Sequence, residues 1–184
     1  VIQYNHNAMP ARRVRSTLEE TAFHEAGHAV VGTLLGLTLN NVDIRRVGER
    51  NGVCAWSPLL YGDPRQRKVD ARGHIVTSFA GMEAQRLVNP DADDAAGSDD
   101  RHVAFTLSVD HAVLPRGCRV VGDDNHHAYL RKLEREAHKA VKAYRPMIER
   151  VAKVLLQKRR LTGDDVRGMV APLGPRSCPT AKKV

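Results

Sequence analysis

The chain has 184 residues, 29 Lys+Arg against 21 Asp+Glu, a formal net charge of +8 and a sequence pI of about 9.8. That length suits one domain rather than two, and a hydrophobic fraction of 42% with only 4% aromatics implies a core of Leu, Val, Ile and Ala that leans helical and argues against a β-sandwich or barrel. Three cysteines, Cys54, Cys118 and Cys178, form no C-x-x-C pair, which argues against a disulfide scaffold and for a reducing, cytoplasmic compartment, and no apolar run approaches the length that spans a bilayer.

Residues 1–15 are polar and basic and read as a flexible arm. The chain opens on Val1 rather than Met, which leaves open a missing N-terminal segment and a membrane link through it. A helix is expected from Ser16, with Ser16 as N-cap and Glu19 closing a capping box, to a stop near Gly36. Two short strands follow, over 41–47 and 52–56, with turn signals at Gly48 and Asn51-Gly52. Asp63-Pro64 starts a second helix whose buried face is drawn from Val69, Ile75, Val76, Phe79, Ala80, Leu87 and Val88, and which ends at Asn89-Pro90. An acidic loop over 89–100 carries Asp91, Asp93, Asp94, Asp99 and Asp100, and a third helix runs on to about Val109. Pro115, Gly117 and Gly122 mark 110–123 as loop. Leu130, Leu133, Ala137, Ala140, Val141 and Tyr144 recur at helical spacing. Pro146 is expected to break or kink that helix before another carrying Met147, Ile148, Val151, Leu155 and Leu156. Thr162 to Asp165 cap a last short helix, and 172–184 read as a disordered tail. The expected class is α+β, mostly helical.

Chemistry concentrates in His24-Glu25-Ala26-Gly27-His28, an H-E-x-x-H inside an apolar helix. Residues four apart share a helix face, so the two imidazoles can hold one Zn²⁺, and Glu25 beside the first of them can act as base on water without ligating the metal. Two histidines and a glutamate on the inner side of an apolar helix need partners there. Gly27 costs about 1 kcal/mol against Ala in a helix interior, which points to close backbone packing. A catalytic zinc takes a third protein ligand. The metzincin extension is absent, since Leu34 stands where its third His would be. Glu49, Glu83, Asp99 and Asp100 remain as candidates.

Several blocks together resemble the peptidase domain of the FtsH-type zinc proteases. Thr21 to Val31, which contains the H-E-x-x-H, resembles that family's zinc helix. Val42-Asp43-Ile44 with Gly52-Val53 resembles its small sheet. Phe79-Ala80-Gly81-Met82-Glu83-Ala84 resembles its second core helix, and Gly97-Ser98-Asp99-Asp100 resembles its G-A-S-N-D. The resemblance runs over roughly 12–171, to the turn at Leu161-Thr162-Gly163. It implies a zincin-like metallopeptidase over 16–171, with a zinc-site part over 16–110 and a C-terminal helical bundle over 123–171. It also implies one zinc ion held by His24, His28 and Asp100, Glu25 as the catalytic base, and endopeptidase action on unfolded or flexible protein. The chain departs from the family in two ways. It has no G-x-x-x-x-G-K-[ST], hence no ATP site of that kind, and Met82 and Gln85 replace the family's Arg and Glu.

An extended substrate would lie along an exposed edge strand, for which Gly52, Val53, Cys54, Ala55 and Trp56 are the candidates. Partners expected beyond a protein or peptide substrate are further copies of the chain and a separate ATPase. Nucleic acid is not expected, for want of any zinc-finger or RNP motif. The alternative function is a degenerate, non-catalytic peptidase fold that binds a protein or nucleic-acid partner. His126-His127 reads as solvent-exposed, with the adjacent rings pointing apart; His74, His102, His111 and His138 read as surface or packing residues, and Cys54 as a small buried residue rather than a nucleophile. Residues 131–160 hold 11 Lys+Arg against 3 Asp+Glu, the whole of the net excess. A solvated helix face or a docking surface explains such a run.

Overall fold

The computed structural model describes residues 16–46, 52–57, 63–92, 98–110 and 121–171. The expectations for 1–15 and 172–184, and for Gly48, Glu49, Asn51, Gly97, His111, Pro115, Gly117, Cys118 and Cys178, lie outside them. Among the described residues, five helices and three strands follow one another as α1 (Leu18–Leu34), β1 (Leu39–Asp43), β2 (Val53–Trp56), α2 (Pro64–Gln85), α3 (Ser98–Asp110), α4 (Asp124–Lys158), β3 (Arg160–Thr162) and α5 (Gly163–Val170). The expected mostly helical α+β class is observed.

Helix α1 lies in the middle and is buried on nearly every side. It packs against α2, α4 and the sheet. Small residues permit this. A methyl group on Gly27 would come 2.5 Å from Cβ of Ala84 and 2.6 Å from the carbonyl of Ala80, so α1 and α2 touch backbone to backbone, as the unfavourable glycine suggested. The N-cap is Thr17 rather than Ser16, and the capping box closes on Glu20. The two registers differ by one residue, and Thr17-x-x-Glu20 satisfies the same pattern. The helix ends at Leu35, and Gly36 takes the left-handed conformation (φ +85°) that lets the chain turn back.

The sheet is antiparallel in the order β2-β1-β3. Strand β3 was not foreseen. It is three residues long and lies in a basic run, directly after Arg159, whose left-handed conformation (φ +66°) reverses the chain out of α4. Its register sets Leu161 opposite Val42, both buried. Strands β1 and β2 are shorter than expected.

Helix α2 starts at Pro64 with Asp63 as its cap, as expected. It ends at Gln85, before Asn89, and Val69 is exposed rather than buried. The break expected at Pro146 is absent, and α4 runs unbroken for 35 residues. Proline removes one backbone hydrogen bond from a helix interior. Here Val141, Tyr144, Met147 and Ile148 keep one continuous buried face across it, and burial at about 1.5–3 kcal/mol per large apolar side chain outweighs that loss. Thr162 caps α5 through a capping box with Asp165. No helix among the described residues is long and apolar enough to cross a membrane.

Candidate metal centre

His24 and His28 project from one face of α1 and turn their Nε2 atoms toward each other at 3.0 Å, with the rings edge to face. Asp100, in the first turn of α3, brings Oδ2 to 3.0 Å from His24 Nε2 and 3.4 Å from His28 Nε2. The three atoms form the only such group of potential ligands among the described residues. Donors on a tetrahedral zinc, at about 2.0–2.1 Å from the ion, stand roughly 3.3 Å apart, close to the sides of this triangle.

The far sides of both rings show why the facing atoms are acceptors. His28 Nδ1 lies 2.7 Å from the carbonyl oxygen of Thr77, which can only accept, so Nδ1 carries the proton. His24 Nδ1 lies 3.2 Å from Oε1 of Gln85, and the other end of that amide donates to the Glu20 carboxylate at 3.4 Å, which orients the amide. Asn89 donates to the second Glu20 oxygen at 3.1 Å. Each ring therefore turns a lone pair inward. Two imidazole lone pairs and a carboxylate converging at about 3 Å repel one another unless a cation, whether a proton or a metal ion, lies among them.

The electrostatics agree. Burial alone would lower the pKa of His28, but the charge and hydrogen bond of Asp100 outweigh it, with smaller help from Glu25 and the Thr77 carbonyl, and raise it to about 9. Burial works in the same way against the charge on Asp100, yet His28 and His24 hold that carboxyl well below the usual carboxylate range. The negative charge of Asp100 that favours a proton here also attracts a divalent cation, which must displace that proton to bind.

Helix α2 forms the floor. A methyl group on Gly81 would overlap Nε2 of His28 and come 2.8 Å from Nε2 of His24, so only glycine admits both rings. Glu25 is 6% exposed, and its Oε2 is buried with no hydrogen-bond partner among the described residues. Gly52 lies over it, where a methyl group would come 2.6 Å from Oε1.

Of the expected site residues, His24, Glu25, His28 and Asp100 come together, and Gly52 reaches Glu25. The rest of the expected substrate strand is β2, an edge strand with Val53 exposed. Trp56 packs into the space left by Gly32 and against His74, with ring centroids 5.8 Å apart. Cys54 donates its thiol to the carbonyl of Glu25 at 3.3 Å, and burial, with the neighbouring Glu25, pushes that thiol well above its ordinary pKa. It is a packing residue, as read.

Glu83 is not at the centre. It bonds Arg86 at 2.6 Å and His138 at 2.5 Å, tying α2 to α4. His126 is fully buried, contrary to the solvent exposure expected of it. The backbone N–H of Gly122 donates to its Nδ1 at 2.9 Å, so Nε2 donates to Ser108 Oγ at 2.7 Å, and Ser108 donates to the Phe105 carbonyl at 2.6 Å. Its ring and that of His127 lie within 22° of parallel beside Phe105, instead of pointing apart. Periodicity concealed His126 because its partners come from α3 and from the turn before α4. Sequence reasoning also missed the parts of Thr77 and Gly81, and named Gly52 only as part of a substrate strand. Glycine in the second core helix was the one available signal, since it is unfavourable there without a reason.

No family model matches the chain. Among curated proteins it is similar to the ATP-dependent zinc metalloprotease FtsH 1 of Symbiobacterium thermophilum, at 26% identity over 186 residues, covering 88% of this chain and 31% of that protein. It is likewise similar to the ATP-dependent zinc metalloprotease FtsH of Caldicellulosiruptor bescii, at 26% identity over 200 residues, covering 88% of this chain and 32% of that protein. The chain thus spans about a third of the length of the curated relatives it matches. These similarities support a relationship to zinc metalloproteases at the level of the family.

Proposed function

We propose that the chain is a zinc-dependent endopeptidase of the FtsH type with a zincin-like fold, acting on unfolded or flexible protein segments. One observation carries this reading. Three lone-pair atoms, Nε2 of His24, Nε2 of His28 and Oδ2 of Asp100, converge beside a buried Glu25 oxygen that has no partner. His24, His28 and Asp100 would hold the ion. Zinc bound there supplies Lewis acidity, lowering the pKa of water toward 7 and withdrawing charge from a carbonyl oxygen.

The remaining chemistry belongs to the side chains. Glu25 takes the proton from water as it attacks the scissile carbonyl and returns it to the leaving amine. Its burial keeps competing hydrogen bonds away from the accepting oxygen. Gly52 has no side chain to collide with the Glu25 carboxylate, which fills the space a methyl group there would need. The free edge of β2, over 52–56, offers backbone N–H and C=O groups to an extended peptide. In this reading 16–171 is the peptidase unit, with its zinc site in 16–110 and its C-terminal helices in 123–171, working in a reducing, cytoplasm-like compartment. ATP-driven delivery of substrate would come from a separate ATPase or from another part of a longer chain.

Metal analysis combined with cleavage tests the reading. One zinc per chain is expected, with cleavage of casein that stops on chelation and returns with added zinc. A protein that takes up no stoichiometric zinc would sink the metal site. One that takes up zinc and cleaves no unfolded protein would support the non-catalytic alternative.

A further inference from the structure

Helix α4 segregates its charges. Its acids at Glu134 and Glu136 turn inward and are consumed by neighbouring helices, Glu134 pairing with Arg101 of α3 at 3.1 Å and Glu136 with Arg72 of α2. Glu149 is exposed and pairs with Arg145, and the fourth acid, Asp124, lies in the first turn, before the run of cations. The cations go the other way. Lys132, Arg135, Lys139, Lys142, Arg150 and Lys153 are all exposed. At about 100° per residue they fall within one arc of roughly 80°, opposite the buried row of Leu133, Ala137, Ala140, Tyr144, Val151 and Leu155. Between Lys132 and Lys153 only Pro146 interrupts that row, and no acid lies on it. The row is about 32 Å long at 1.5 Å rise per residue.

We infer that this row binds the phosphate backbone of a duplex nucleic acid without regard to sequence. A straight line of cations about 32 Å long matches roughly one turn of duplex, about 34–36 Å, and neutralised phosphates supply most of the affinity of such contacts. A bilayer fits the face less well. Surface-lying membrane helices insert an apolar face, and the apolar face of α4 is buried in the core, while the exposed large apolar side chains of the described residues all lie on other elements. A single strand fits less well too, because the arc carries no Phe, Tyr or Trp on which bases could stack. An acidic protein partner would call for aromatic or apolar anchors at the centre of its interface, and none is present there. The arc shares no residue with the metal centre, so the inference stands apart from the peptidase reading.

The test is fluorescence anisotropy with a labelled 20-base-pair DNA of arbitrary sequence, from 50 to 300 mM salt. Binding is expected with a log–log salt slope of about −4 to −5, as five or so phosphate contacts require. Lys139→Glu with Lys142→Glu should weaken it at least ~30-fold. Arg65→Glu with Lys68→Glu, the same charge change at the exposed start of α2, should weaken it less than ~3-fold. Lys139→Gln with Lys142→Gln serves if the reversed pair folds poorly, and should flatten the slope by about 2. The inference is overturned by no binding at 50 mM salt, or by equal losses in the two reversed pairs. Binding only to phosphatidylserine vesicles, or tighter binding to a single strand than to the duplex, overturns it as well.

Discussion

Gly81 and His28 cannot both carry full side chains at their present separation: a methyl group on Gly81 would overlap Nε2 and Cε1 of His28. The inward lone pair of His28 thus depends on a missing side chain on another helix. Gly81→Ala should push both imidazoles out of register and weaken zinc binding at least ~10-fold, with overpacking costing about 1–3 kcal/mol of stability. Gly73→Ala is the comparison. Its methyl group would come no nearer than 3.4 Å to its neighbours, with Leu37 Cδ2 the nearest, and the gain in helix propensity, up to about 1 kcal/mol, should leave it neutral or more stable. Competition against a chromophoric chelator and thermal unfolding measure both.

Glu25 is not among the three residues whose ligand atoms converge. Glu25→Gln should therefore retain one zinc per chain while casein cleavage falls by roughly 10²–10⁴-fold, the usual contribution of a general base. Retained cleavage would remove Glu25 from that role.

His28 predicts a pH dependence with a definite sign. Its pKa in the metal-free fold is raised from 6.5 to about 9 by Asp100. The stability this pairing contributes is fully present below pH 6.5 and is lost as pH rises through about 9, with a slope of at most about 1.4 kcal/mol per pH unit. Zinc competes with the same proton, so affinity should rise with pH up to about 9, and binding at pH 7 should release close to one proton. Calorimetry in buffers of different ionisation enthalpy reads the proton, and denaturant melts of metal-free protein read the stability.

His126 fills a buried site and satisfies Gly122 N–H and Ser108 Oγ. His126→Ala should cost about 2–4 kcal/mol, combining a cavity with stranded polar groups. Ser108→Ala should cost about 1 kcal/mol, and the two changes together less than their sum, because they share one hydrogen bond. Chemical denaturation of the two single variants and the double variant closes that cycle.

Pro146 is exposed inside an unbroken helix. Pro146→Ala restores a backbone donor and removes a ring clash, and should raise stability by about 1–3 kcal/mol. A loss of stability would mean that the proline shapes α4 in a way its burial pattern does not reveal.

Much of the site was legible along the chain because its key spacing is local. His24, Glu25 and His28 lie within five residues of one helix, and helical periodicity alone puts the two imidazoles together. Asp63-Pro64, Gly36 and Thr162 likewise mark ends of helices through short-range backbone chemistry. Asp100 was a different case. It lies 72 residues beyond His28, and no local rule could choose it over Glu83; the similarity of its block to a known family made that choice. Pro146 misled for the converse reason, since a local rule for breaking helices lost to a long buried face.

The sequence by itself determined the helical α+β character, the H-E-x-x-H pair and the excess of charge in 131–160. Each is set by composition or by neighbours within a turn or two. Only the tertiary structure brought Asp100 against the imidazoles and showed that Gly81 and Thr77 orient His28. It alone turned Glu83 toward His138 of α4, buried His126, and turned Glu134 and Glu136 inward, so that the cations of α4 form one face interrupted only by Pro146. These facts depend on which helices lie against one another, and that is settled by the burial of apolar surface across the whole chain, which no single stretch of residues encodes.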